Sequence, residues 1–141
     1  MPGNYTGDAC VTAVVFPSHR YVPGQTARHP EGWFDAVKAE DATALRTGVA
    51  YFEAGYFWEC HEVLEAIWLR AQDGSDERIM VQAVIQLANA RLKLVMARPK
   101  AAVRLCEIVG DLLGTLPAQA APLGLSVSDW SGKLAQTRRM L

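Results

Sequence analysis

Histidine and glutamate four residues apart on one helix can reach a single ion from the same face, and residues 57–68 offer that pair. The segment reads Phe57-Trp58-Glu59-Cys60-His61-Glu62-Val63-Leu64-Glu65-Ala66-Ile67-Trp68. At about 100° per residue, His61, Glu65 and Trp68 fall in one narrow sector at the edge of the apolar face, while Glu59, Glu62 and Arg70 point the other way and read as solvated. A buried carboxylate or imidazole must be paired or hydrogen-bonded, because an unpaired buried charge costs several kcal/mol. His61 and Glu65 are therefore expected to be largely buried and within hydrogen-bond or shared-ligand distance of each other.

A second polar stripe can meet the first. Gln82, Gln86, Asn89 and Lys93 recur at i, i+4, i+7 and i+11 in a stretch that is otherwise apolar nearly all round, which marks a central helix with one polar face. Two facing polar stripes describe a buried polar layer or a small pocket, with Trp68, Gln82 and Gln86 around the His61/Glu65 pair. Two chemistries fit. In one, His61 and Glu65 ligate a divalent metal, zinc or similar, and Glu62 acts as general base on a metal-bound water. Position 65 is Glu rather than His, so the HExxH pattern is absent, and further ligands would come from His29, His19, Glu107, Asp111 or Asp129. In the other, His61, Glu65 and Gln86 form a hydrogen-bond network with no ion, in a binding or interaction module. Cys60 lies on the apolar side of its helix and reads as an inert thiol rather than a nucleophile. No phosphate-cradling glycine loop, nucleophile elbow or dinucleotide fingerprint is present.

The elements that must position these residues follow from apolar spacing and punctuation. The chain has 141 residues, 50% hydrophobic and 21% charged, enough for one domain with a real core. Residues 1–32 carry Pro2, Pro17, Pro23 and Pro30 with four glycines, which forbids a long helix and predicts an extended arm. Its one regular candidate, Cys10–Phe16, has no partner strand and is expected to lie across the surface of the bundle. Tyr21 and Val22 must be buried against helices, so Arg28 or His29 should contact the second helix; Arg28 would suit Glu65 or Glu62. Residues 33–141 read as a single all-α bundle of four to five helices. The first is capped by Asp41 and ends at Gly55, and the second spans 57–71. The third spans 77–97, the fourth starts at Pro99 with Val103, Cys106, Val109, Leu112 and Leu113 inward, and a short last one starts near Ser128 or Asp129.

A net charge of −1 gives no footprint for nucleic acid. The longest apolar stretch, Ile79–Ala97, carries Gln82, Gln86, Asn89, Arg91 and Lys93 and is too polar to span a membrane. Three widely spaced cysteines without a CxxC pair, and no basic stretch before the apolar run near the amino terminus, point to a reducing cytoplasm. The expected partners are a small-molecule ligand and a second copy in a homodimer.

The segment Gly55–Trp68, together with Gln82-Ala83-Val84-Ile85-Gln86-Leu87-Ala88, resembles the domain-of-unknown-function 309 family of bacteria and archaea. Its hallmark HxxxExxW or HxxxExxY is matched by His61, Glu65 and Trp68 over a resemblance spanning residues 41–115. Tyr21–Pro30 looks like the leader of some longer members, and Cys60 stands where many members have alanine. The resemblance implies an all-α fold and metal binding by His61 and Glu65, with Glu62, Trp68 and Gln86 as companions, in a predicted metal-dependent hydrolase of unnamed substrate.

Overall fold

The computed structural model describes residues 13–141, and among these every regular element is helical. Six α-helices follow the arm: α1 (Asp35–Lys38), α2 (Asp41–Glu53), α3 (Phe57–Arg70), α4 (Asp76–Val95), α5 (Pro99–Gly114) and α6 (Val127–Arg138). A 3₁₀ turn at Pro122–Gly124 precedes the last. The one-turn α1 is the only helix not expected from apolar spacing. Of the strand candidate at the amino terminus, residues 10–12 lie outside the described residues, and residues 13–16 have no regular structure.

Punctuation residues set the helix ends. Asp41 is the first residue of α2 rather than its cap; it places a carboxylate in the first turn, where the helix dipole favours it. At the other end Gly55 has φ +86°, Gly55 N–H donates to Phe52 O (3.1 Å) and Tyr56 N–H donates to Tyr51 O (2.8 Å). This left-handed cap satisfies two carbonyls and turns the chain straight into α3. Ser75 caps α4 by accepting from Arg78 N–H at 3.2 Å, and Ser126 caps α6 in the same way from Asp129 N–H. Pro99 opens α5, where its missing N–H is no loss.

α4 is the central element. It packs against α3, α5 and α6, and Met80, Val81, Val84, Leu87, Ala88 and Ala90 are buried on nearly every side of it. α2 crosses α3 closely at Gly48, where an added Cβ would stand 2.5 Å from Leu64 Cδ2. On α5 the inward stripe is Ala102, Cys106, Val109 and Leu113, while Val103 is exposed, contrary to expectation. The i, i+4, i+7, i+11 series from Ala102 runs through Cys106, Val109 and Leu113, whereas Val103 stands only three residues before Cys106 and falls off that stripe.

The arm lies across α2 and α3. Pro17 and Val22 are buried, Phe16 packs on Tyr51 and Tyr56 with ring centroids 5.3 and 5.1 Å away, and Tyr51 Oη donates to Val15 O at 2.6 Å. Arg20 donates to Ala54 O at 2.7 Å and stacks over Tyr56. Gly24, at φ +81°, closes a turn in which Gln25 N–H and Thr26 N–H both donate to Val22 O. No helix among the described residues is long and apolar enough to cross a membrane.

Candidate functional site

Helix α3 buries a stripe of Cys60, Val63, Leu64 and Ile67, and this stripe has two polar edges. On the first edge the arm descends onto Glu59. Nε2 of His29 stands 2.6 Å from Oε2 of Glu59, and Tyr21 N–H donates to the same oxygen at 2.6 Å. The two side chains are 3% and 0% exposed. An ionised carboxylate only accepts, so in this contact His29 Nε2 is the donor. The ring of His19 stacks on His29 at 4.7 Å, held by its Nε2 donating to Ala27 O at 2.6 Å. Oε1 of Glu59 is buried and has no hydrogen-bond partner.

That carboxylate sets the electrostatics of its surroundings. Burial, and then the Glu59 charge, push the Cys60 thiol far above its ordinary range. A thiol in this state is no nucleophile, which agrees with its expected inertness. Burial, then Glu59 and Tyr56, raise the Tyr51 phenol to about 12. Beside Glu59 the arm roofs a cavity of about 140 Å³ whose lining includes Tyr21, Arg28, His29, Trp58 and Glu62. Glu62 accepts from Lys38 Nζ at 2.8 Å.

The second edge faces α4 across an open cleft of about 190 Å³, lined by Glu65, Trp68, Gln82, Ile85 and Gln86. Glu65 is exposed, and both glutamines are half-buried. Gln86 Oε1 accepts from Asn89 Nδ2 at 3.2 Å, so the polar stripe of α4 is partly tied to itself. Arg78 lies over the Trp68 ring at 3.9 Å and pairs with Asp73. His61 Nδ1 and Trp68 Nε1 are both buried and make no hydrogen bond. Two such groups on one helix edge are a local cost that a ligand or a bridging water would relieve.

The family model of a domain of unknown function, DUF309, matches residues 45–105. Over that segment the chain is similar to the DUF309 family. No curated protein and no solved structure matches it. The DUF309 match covers both edges of α3 and the α4 stripe but stops short of the arm, so Tyr21, Arg28 and His29 lie outside the match.

Several residues expected at one site are distributed over two. Glu65, Trp68, Gln82 and Gln86 come together in the α3/α4 cleft. His61 is half-buried on the same edge, and no hydrogen bond joins it to Glu65, which is exposed where burial was expected. The cause is geometric: α4 closes over the core stripe and leaves the outer part of that edge open. Glu62 lies on the opposite side, in the arm cavity with Lys38, and is not beside the His61/Glu65 pair. His29 does contact α3, whereas Arg28 is exposed at the cavity rim. The buried carboxylate of the matched segment is Glu59, which the helical spacing assigned to solvent. The available signal was the arm itself: Tyr21, Trp33 and Phe34 needed a surface to cover, and the Glu59 edge of α3 is that surface. For a zinc-like ion, the donor set offers His61 and Glu65 on one helix. Among the described residues no group of three or more His, Cys, Asp or Glu gathers around a common point. A closed site needs about four donors, so these residues do not by themselves fit one.

Proposed function

We propose that the protein is a small-molecule-binding module whose ligand sits in the α3/α4 cleft, and that its His29–Glu59 pair is structural. The observation that carries this reading is the convergence of Glu65, Trp68, Gln82 and Gln86 on one cleft of about 190 Å³. An apolar floor with a few polar groups is the usual make-up of such sites. A carboxylate and two primary amides suit a neutral or cationic ligand rich in hydrogen-bond donors, and the apolar floor is Ile85. The two buried free thiols, Cys60 and Cys106, suit a reducing compartment such as the cytoplasm.

The test is a thermal-shift titration of the wild type and of Gln86→Ala with a panel of small amides, amines and carboxylates. At a hundred times its Kd a ligand of the folded state adds about 2.7 kcal/mol, so a fitting amine or amide raises the melting midpoint of the wild type and not of the variant. A panel with no effect, or one with the same effect on both proteins, contradicts the reading.

The orphaned Nδ1 of His61, one helical turn from Glu65, favours a second reading, a metal-dependent hydrolase. Elemental analysis of protein purified without a metal-affinity tag separates the two. The binding module carries no stoichiometric metal; one equivalent of a divalent ion, lost in both His61→Ala and Glu65→Gln, supports the hydrolase.

A further inference from the structure

The geometry points to a second ligand site, independent of the α3/α4 cleft, in the cavity between the arm and α3: a receptor for a small zwitterion that carries an alkylated ammonium and a carboxylate. Three aromatic rings, Tyr21, Phe34 and Trp58, help to line this cavity of about 140 Å³. Tyr21 meets Trp58 edge-to-face at 5.0 Å and 90°, and Phe34 meets it at 6.0 Å and 57°. The rings pack on one another at these angles and together give the cavity an aromatic wall. Aromatic surface beside a carboxylate suits a diffuse, weakly hydrated alkylammonium better than a compact cation.

The charges around the box are sorted in the same sense. The imidazole of His29 also lines the cavity, with its Nε2 turned to Glu59 at 2.6 Å, so the ring is held against a carboxylate. Glu62 and Glu31 both line the cavity, and Glu62 Oε2 accepts from Lys38 Nζ at 2.8 Å, so the wall carries two carboxylates of which one is paired with Lys38. Arg28 is exposed at the same rim. A guanidinium there disfavours a simple cation and suits the carboxylate of a zwitterion, which it can bind in a bidentate fork. The volume is well below that of drug-sized sites and fits a headgroup-sized ligand.

Isothermal titration calorimetry of the full chain with trimethylglycine, tetramethylammonium chloride and sodium acetate tests the site. Trimethylglycine should bind saturably, tetramethylammonium about fivefold more weakly for want of the Arg28 contact, and acetate not measurably. Arg28→Ala should bring trimethylglycine down to the tetramethylammonium level, and Glu62→Gln should weaken both ammonium ligands. Trp58→Leu should abolish binding of either; if that variant fails to fold, Arg28→Ala, whose side chain is exposed, still decides the matter. The proposal is overturned if neither ammonium compound binds saturably, if acetate binds as tightly as trimethylglycine, or if Arg28→Ala and Glu62→Gln leave trimethylglycine binding unchanged. A cleft ligand found through Gln86 has no bearing on these outcomes, so this site and the α3/α4 cleft stand or fall separately.

Discussion

Glu59 and Glu65 are the same residue type on the same helix, one on each polar edge of α3, and their environments are opposite. Glu59 is fully buried and accepts from His29 Nε2 and Tyr21 N–H, whereas Glu65 stands exposed at the mouth of a cleft. The helix's own periodicity sets Glu59 beside Val63 at one border of the core stripe and Glu65 well outside the other border, but a border residue can still face solvent. What decides is the covering element. An arm that must bury Tyr21, Val22 and Phe34 lands on one edge and converts a surface carboxylate into a structural one; on the other edge α4 leaves room for solvent or a ligand. The edge that looks chemically richer in the sequence is the open one, and the edge that holds the structure together is the one that looked solvated.

The contrast is sharpest when the buried pair is broken. His29→Ala leaves the buried Glu59 without its side-chain donor, and stranding a buried charged acceptor in this way costs about 1 to 3 kcal/mol. Urea denaturation of the variant should show that loss as a lower midpoint with an unchanged slope. A loss below about 1 kcal/mol would mean that the arm edge is as forgiving as the open one.

A comparable effect is expected where α2 meets the same helix. Gly48→Ala puts a methyl group 2.5 Å from Leu64 Cδ2, and overpacking of this kind costs about 1 to 3 kcal/mol. Equilibrium melting of the variant measures it, and an unchanged midpoint would show that Leu64 relaxes freely.

Tyr51 reports on the arm edge through pH. Its ordinary pKa of 10.0 is raised to about 12 in the fold, first by burial and then by Glu59. The unfolded chain therefore ionises first: the contribution of Tyr51 to stability is complete below pH 10 and is lost as pH rises from 10 towards 12. Tyr51→Phe removes a hydrogen bond to Val15 O worth about 1 kcal/mol near neutrality, and it should also flatten the alkaline loss of stability. Parallel slopes for variant and wild type between pH 10 and 12 would contradict the assignment.

Local signals made most of the helical frame legible. Gly55 and Pro99 mark ends that the structure keeps, because a left-handed cap and a missing N–H act over only a few residues. The polar stripe of α4 was legible for the same reason, since it is a property of one helix. Two other features depend on contacts between distant segments and were not. Val103, larger and three residues before Cys106, reads as inward until the neighbours select Ala102, and Glu59 reads as a surface glutamate until the arm arrives. Glu65 illustrates the converse: its spacing from His61 suggested a buried pair, but the covering helix stops short of it.

The most direct test of this account compares Glu59→Gln with Glu65→Gln by urea denaturation at neutral pH. Both changes remove one negative charge and keep shape. The first should destabilise by about 1 to 3 kcal/mol, because it weakens the two hydrogen bonds that Oε2 accepts from His29 and Tyr21 N–H in a buried site. The second should stay within about 0.5 kcal/mol, as exposed substitutions do. Equal losses in the two variants, or a larger loss for Glu65→Gln, would contradict the assignment of structure to the arm edge and of binding to the open one.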